Sequence, residues 1–230
     1  SNHKAVHHLK DNTTSAVLDS TANNNDGAKK TANEPVEAAG QIYKAQDFDG
    51  TDDYIDVGSA SNLNFGSGDF TYSAWVKTSE TNLRMIIAQD KNLNNGREFG
   101  ISSNKLFLFF RDASGNLVSV ASTTSINDNA WHLISGVRRG NFGEVYVDGV
   151  LEDSDENELV GSTDGGCNTY IGARATVGPS LFFDGIVDEV RISNVARSAA
   201  WIKASYHAGA GSLLKSFINE TITGNFLMFF

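Results

Sequence analysis

The chain reads as an all-β protein built from antiparallel strands, a sandwich or a barrel, and three observations predict this. Short alternating segments recur along its 230 residues, turn residues separate them, and helical periodicity is nearly absent. Phe70–Lys77 alternates, with Phe70, Tyr72, Ala74 and Val76 sharing one face. Lys105–Arg111 and residues 116–121 flank Asp112-Ala113-Ser114-Gly115, a hairpin whose glycine is free to take positive φ. Residues 131–138 and 144–147 flank a second hairpin turn, Arg139-Gly140-Asn141-Phe142-Gly143. Asp148-Gly149 sits between apolar residues, the strongest short-range hairpin signal, and Asp49-Gly50 repeats it. One short C-terminal helix is predicted over 197–206: Ser198 suits its cap, Gly209 follows its end, and Trp201, Ala204 and Tyr206 face inward.

Composition narrows the function classes. With 22 Gly against 2 Pro the chain is rich in tight turns, and its length fits one large β core. The formal net charge of -10 argues against nucleic acid and against anionic membrane surfaces as partners. Surface carboxylates are, in contrast, what hard cations such as calcium bind. Cys167 is the single cysteine, so no intrachain disulfide forms, and with no base motif beside it it is not read as a nucleophile. No signal peptide is recognisable; Ser1-Asn2 resembles a cleavage scar, so a targeting segment is expected to have been removed. No run reaches the roughly 18–20 apolar residues of a membrane span. The apolar end, residues 226–230, is expected to bury against the sandwich or a neighbouring molecule.

Two acidic segments stand out. Residues 182–192 alternate as a half-buried strand yet carry Asp188 and Glu189 at their centre. An unpaired buried charge is very costly, so at least one must face a cation, an arginine or solvent. Far upstream, residues 19–27 form an acidic, Asn-rich turn with the residue types of a calcium loop. Together the segments point to an ion tying the start of the chain to its end. The alternative is that Asp19 makes an Asx turn and Asp188 pairs with Arg191 or Arg174.

Six segments taken in order, residues 19–27, 45–55, 69–77, 131–134, 145–149 and 184–192, resemble the laminin-G-like, concanavalin-A-like jelly-roll family. The resemblance spans residues 5–208 and leaves 209–230 as an apolar extension or linker. It implies two curved antiparallel sheets stacked face to face and a structural Ca2+. On that basis Asp19 and Asp188 supply side-chain oxygens, and Asn23 and Asn25 carbonyl oxygens. Ala22 and Asn24 stand where the family more often has glycine; Asn24 tolerates left-handed φ and Ala22 does so poorly.

The same superfamily includes glucanases, which typically show Glu-x-Asp-x-Glu on a strand lining the cleft. Residues 152–156 put Ser154 at the middle position and read as an acidic loop, while Asp188 and Glu189 are adjacent and face opposite sides. No Gly-x-Ser-x-Gly elbow is present, His7 and His8 point apart, His132 reads as a partly exposed strand residue, and no spacing converges on zinc. The chain is therefore expected not to be an enzyme. For ligand contact, Trp75 lies opposite the apolar face of its strand and is either an open platform or covered. Arg97 and Arg174, in segments read as polar loops, are candidates to grip carboxylates or hydroxyls. The expected function is a non-catalytic, calcium-stabilised extracellular module, part of a larger secreted or surface protein, binding glycans. The rival readings are an adhesive or structural spacer that binds protein or no ligand, and, behind it, a polysaccharide-cleaving enzyme.

Overall fold

The computed structural model describes residues 2–10, 16–30, 34–91, 95–157, 160–176 and 178–211. Alternation and turn chemistry give strands β1 (His3–His7), β2 (Ala28–Lys29), β3 (Val36–Gly40), β4 (Tyr43–Asp49), β5 (Ile55–Gly58) and β6 (Phe70–Lys77). There follow β7 (Arg84–Lys91), β8 (Asn95–Ser102), β9 (Lys105–Arg111), β10 (Leu117–Ser125), β11 (His132–Arg139), β12 (Phe142–Val147) and β13 (Val150–Glu156). The chain closes with β14 (Thr169–Ile171), β15 (Arg174–Thr176), β16 (Gly178–Ser180), β17 (Asp184–Ser193) and helix α1 (Ala199–Gly209).

Two antiparallel sheets result. The eight-stranded sheet runs β13-β12-β11-β6-β17-β4-β3, with β1 also pairing β17, and the seven-stranded sheet runs β10-β9-β8-β7-β14-β5-β2. Strands β15 and β16 form a separate hairpin. Strands distant in sequence lie side by side, β6 between β11 and β17 and β14 between β7 and β5, which is the crossing of a jelly roll. The predicted core face of β6 is the real one: Phe70, Tyr72, Ala74 and Val76 all lie in the main core. Rings join the sheets there, Phe70 edge-on to Phe110 with centroids 5.8 Å apart and Tyr72 beside Phe99 at 6.1 Å. Such aromatic pairs contribute ~0.5–1.5 kcal/mol beyond their area.

Helix α1 covers the outer face of the eight-stranded sheet. The Ser198 hydroxyl accepts the Trp201 N–H at 3.2 Å, the predicted cap. Ile202 buries against Val137 and Tyr146, and Tyr206 stacks on Trp75 with ring centroids 5.7 Å apart. The helix differs from expectation in two ways: it continues to Gly209, and Ala204 faces solvent while Ile202 takes the buried position. Gly209 permits the extra turn, since a Cβ there would stand 2.6 Å from the Trp75 indole nitrogen. The acidic segment 152–156 is not a loop but the edge strand β13, whose exposed charges discourage pairing with another chain. Residues 212–230, including the apolar end, lie outside the described residues.

Gly136 of β11 lies on the core side, where an added Cβ would stand 2.8 Å from the Phe99 ring and 3.2 Å from Leu108. Gly136→Val is expected to force the sheets apart locally and cost about 1–3 kcal/mol, read as a lowered urea midpoint with unchanged slope.

Candidate binding groove

Strand β9 reads Lys105-Leu106-Phe107-Leu108-Phe109-Phe110-Arg111, and alternation divides it cleanly. Leu106, Leu108 and Phe110 enter the core, which leaves Lys105, Phe107, Phe109 and Arg111 on the outer face of the seven-stranded sheet. Register sets Ser102, Gly100, Glu98 and Gly96 of β8 beside these four, and Ser125, Ala121, Ser119 and Leu117 of β10 on their other side. Most of these neighbours are small, so the two phenylalanines border a groove of about 410 Å³ that Leu83, Ser102, Ser103, Lys105 and Ser119 help to line. Phe107 is nearly buried and Phe109 half-buried.

The groove is braced from one side by charge. Arg174, on the β15–β16 hairpin, reaches Glu98: its Nη2 donates to Oε2 at 2.9 Å and its Nε lies 2.6 Å from Oε1. One charge-assisted hydrogen bond and one close ionic contact thus join the hairpin to β8. Below the hairpin, Leu181 and Phe109 pack against the buried Met85, Ala88 and Phe107. Asp90 of β7 is hydrogen-bonded to Glu98, and its carboxyl is pushed up to about 7. Burial is the main cause, followed by the hydrogen bond to Glu98 and that residue's negative charge; Arg174 and Arg111 act in the opposite sense.

Paired acids in a cleft invite comparison with glycosidases, whose carboxyls stand ~5–5.5 or ~6.5–9.5 Å apart across the sugar bond. Asp90 and Glu98 are instead 2 % and 5 % exposed, with Glu98 committed to Arg174.

The other sequence-predicted contacts are placed as follows. Trp75 is 2 % exposed beneath Tyr206 and Gly209, so its ring is covered rather than an open platform. Arg97 is fully buried: its guanidinium lies 4.6 Å from the Phe65 ring centroid and 5.5 Å from that of Phe70, and donates to the Leu63 carbonyl. It holds a loop to the core and is not a ligand contact. Arg174 alone of the three stands beside the groove.

Asp19, Asn23 and Asn25 come together. Asp19 Oδ1 accepts the N–H groups of Val6 and Thr21 at 3.0 and 2.9 Å, and Oδ2 accepts the Thr21 hydroxyl and the Asn25 N–H at 2.8 and 2.9 Å. Burial works to raise its pKa, but these donors outweigh it and hold the carboxyl below its ordinary range. The amide of Asn23 donates to the His3 carbonyl and that of Asn25 to the Lys4 carbonyl. Asn24 takes the left-handed conformation at φ 53° and Ala22 does not, which removes the strain expected there.

Asp188 lies elsewhere. His7 pairs with both Asp19 and the core residue Val190, whereas Asp188 stands opposite Trp75 in the row beneath α1. Its Oδ2 accepts the Ile42 N–H at 2.8 Å, its Oδ1 is buried without a hydrogen-bond partner, and burial above all pushes its carboxyl up to about 6. The four residues named for calcium therefore do not make one donor set. The physical reason is the bulge in β17, which turns Asp188 into the Trp75 row although Val190 two positions on enters the core, together with the saturation of Asp19 by N–H and O–H donors. Nor does Asp188 pair with an arginine: Arg191 binds Glu189 at 2.8 Å and Arg174 binds Glu98. Glu189, at φ 53° in a bulge, breaks the alternation and turns to the same side as Asp188.

Asp49, Asp52 and Asp53 also bring carboxylate oxygens within 4.8 Å of one another. Local turn bonds account for them: Asp53 accepts the Asp49 N–H at 2.8 Å, and Asp49 accepts that of Thr51 at 2.8 Å. His132 is fixed between Asp148 and Asp128 at 2.8 and 3.1 Å. The sequence reading missed the β9 stripe and the Asp90–Glu98 pair; the stripe's signal was its alternation of cation, ring, ring and cation.

A family model of the concanavalin A-like lectin/glucanases superfamily matches residues 49–203, and the chain belongs to that family, as the resemblance implied. No curated protein sequence matches it. Among solved structures it is similar to the binding domain of Paraclostridial Mosquitocidal Protein 1, at TM-score 0.73 and 17% identity over 90% of this chain and 52% of that one. It is similar also to the botulinum neurotoxin serotype G binding domain, at TM-score 0.70 and 13% identity over 90% of this chain and 51% of that one. Domain 4 of AbnA, an extracellular arabinanase from Geobacillus stearothermophilus, in complex with arabinotriose, matches at TM-score 0.71 and 21% identity over 88% of this chain and 97% of that one. The chain thus spans about half the length of the two toxin structures and nearly all of the arabinanase domain. At these identities the likeness is one of fold.

Two outcomes test the site's electrostatics. Because Asp90 binds its proton more tightly folded than unfolded, its contribution is greatest at low pH and is lost as pH rises from about 4 to about 7. Asp90→Asn is expected to flatten the pH dependence of stability over that interval and to gain about 1–3 kcal/mol relative to wild type at pH 8, followed by denaturant titration. Asp19→Ala is expected to cost about 2–4 kcal/mol, equally in calcium and in chelator. A loss seen only in calcium would restore a metal to that loop.

Proposed function

We propose that the chain is a non-catalytic glycan-binding module of a secreted or surface protein, and that the groove over Phe107 and Phe109 is its contact surface. The observation that carries this reading is the contrast between the two outer faces. One is roofed by α1, while the other leaves two aromatic rings beside hydroxyl and ammonium donors. An aromatic face receives the C–H side of a sugar ring, and Ser102, Ser103, Ser119 and Lys105 are placed to meet its hydroxyls. The arabinanase domain, matched over nearly its whole length and carrying arabinotriose, supports a glycan. The toxin binding domains support recognition without catalysis. An extracellular location belongs to the same reading; among the described residues no helix is long and apolar enough to cross a membrane. The reading does not depend on calcium.

The test is an oligosaccharide array followed by calorimetry on the ligands retained. Phe109→Ala is expected to weaken binding tenfold or more, the equivalent of about 1.4 kcal/mol, measured well below the midpoint at which the variant unfolds. Trp75→Phe, under the helix, is expected to leave affinity unchanged. Binding that survives Phe109→Ala would move the site elsewhere, and an array without any retained sugar would favour the spacer reading.

A further inference from the structure

The stripe on β9 runs against the charge of the whole chain. The molecule carries -10, yet one strand lays Lys105, Phe107, Phe109 and Arg111 in a line on an open face. At ~3.3 Å per residue the two cations stand about 20 Å apart, one at each end of the aromatic pair. The acids near them are engaged. Glu98 is held by Arg174, and burial favours the neutral form of Asp90 behind it. On the β10 side, Glu152 is bound by Thr123 and Thr124, and Asp155 accepts the Ser119 N–H. Among the described residues no ion pair takes Lys105 or Arg111. The Arg111 guanidinium lies 5.7 Å from the Phe109 ring centroid, and its Nε is buried without a hydrogen-bond partner.

We propose that the groove selects acidic oligosaccharides, whose carboxylates meet Arg111 at one end and Lys105 at the other while sugar faces lie on Phe107 and Phe109. This rests on the glycan reading above and adds the ligand's charge. A carboxylate fits the chemistry: arginine offers a planar fork to a two-oxygen acceptor, and lysine a point charge that follows a mobile one. A neutral sugar would use the rings and hydroxyl donors and leave both cations facing solvent. The overall negative charge works against long polyanions at a distance, so selection operates by contact within the groove.

The test is calorimetry on the intact chain with trimers of galacturonate, glucuronate and mannuronate, their fully methyl-esterified forms, a neutral arabinotriose and a sulfated trimer free of carboxylates. At least one free acid is expected to bind tenfold or more tighter than its ester, with the advantage shrinking in high salt. Lys105→Gln and Arg111→Gln should each reduce that affinity roughly three- to tenfold and leave ester and arabinotriose binding unchanged. Lys105→Arg should retain it, and Phe109→Ala should weaken acid and ester alike. Equal binding of acid and ester, or indifference to both charge substitutions, overturns this inference; continued dependence on Phe109 then leaves the glycan reading standing. A sulfated trimer bound as tightly as the uronates overturns the carboxylate assignment. If none of the sugars binds the wild-type chain, both readings fall.

Discussion

Strand parity is the constraint on which this structure depends. Each sheet has one face in the common core, so the fate of every side chain follows from whether it is odd or even in its strand. The parity is locked by rings that cross the interior, Phe70 with Phe110 and Tyr72 with Phe99. Slipping β6 or β9 by one residue would bring Trp75 or Arg111 into the core and expose phenylalanines. With the inner faces thus fixed, the two outer faces are free to diverge, and they do: one carries Trp75 under a helix, the other a partly exposed Phe109 with no helix above it.

Buried charge is tolerated where it ties a loop to this frame. Arg138 is 1 % exposed, lies 5.1 Å from the Phe110 ring centroid, and donates to the carbonyls of Gly140, Val160 and Gly161. Arg97 does the same for Leu63 and lies 3.5 Å from Asp164, whose oxygens in turn accept the N–H groups of Phe65 and Gly66. Removing Arg138 would orphan three carbonyls at once, and removing Arg97 would orphan the Leu63 carbonyl and the nearby Asp164 carboxylate. Glu98 and Arg174 belong to the same class, except that the loop they secure is the hairpin beside the groove. Desolvation makes such pairs weak as net stabilisers but strong as fixings of geometry, and here geometry is what a binding surface needs.

Much of the fold was legible in the sequence, since alternation and Asp-Gly turns are local signals. The strands around Phe70, Trp131 and Val145 could be read directly, and so could the Ser198 cap. What could not be read is whatever depends on partners far apart in the chain. Asp90 and Glu98 sit eight positions apart and meet only because β7 and β8 pair in one register. The bulge at Glu189 cancels the inference that adjacent acids face opposite ways, and no residue type near it announces a bulge. The Asn-rich turn was recognisable as a turn, but its composition alone could not say whether Asp19 would take N–H donors or an ion. Arg97 and Arg174 looked alike as residues of polar segments; parity sends one inward between rings and leaves the other at the rim.

The contrast between Trp75 and Phe109 also decides which face is able to bind. Exposing Trp75 requires lifting α1, which means breaking the contacts of Ile202 with Val137 and Tyr146 and the stack of Tyr206 as well. Fully burying each such apolar side chain is worth about 1.5–3 kcal/mol, so uncovering the face would cost several kcal/mol before any ligand contact formed. A sugar bound there would have to recover all of it, and its apparent affinity would fall by the same factor. Over β9 there is no such cost, because no helix has to be lifted from the partly exposed Phe109 and Arg174 is already braced. Preorganisation therefore favours the smaller ring on the open face over the larger ring under the helix.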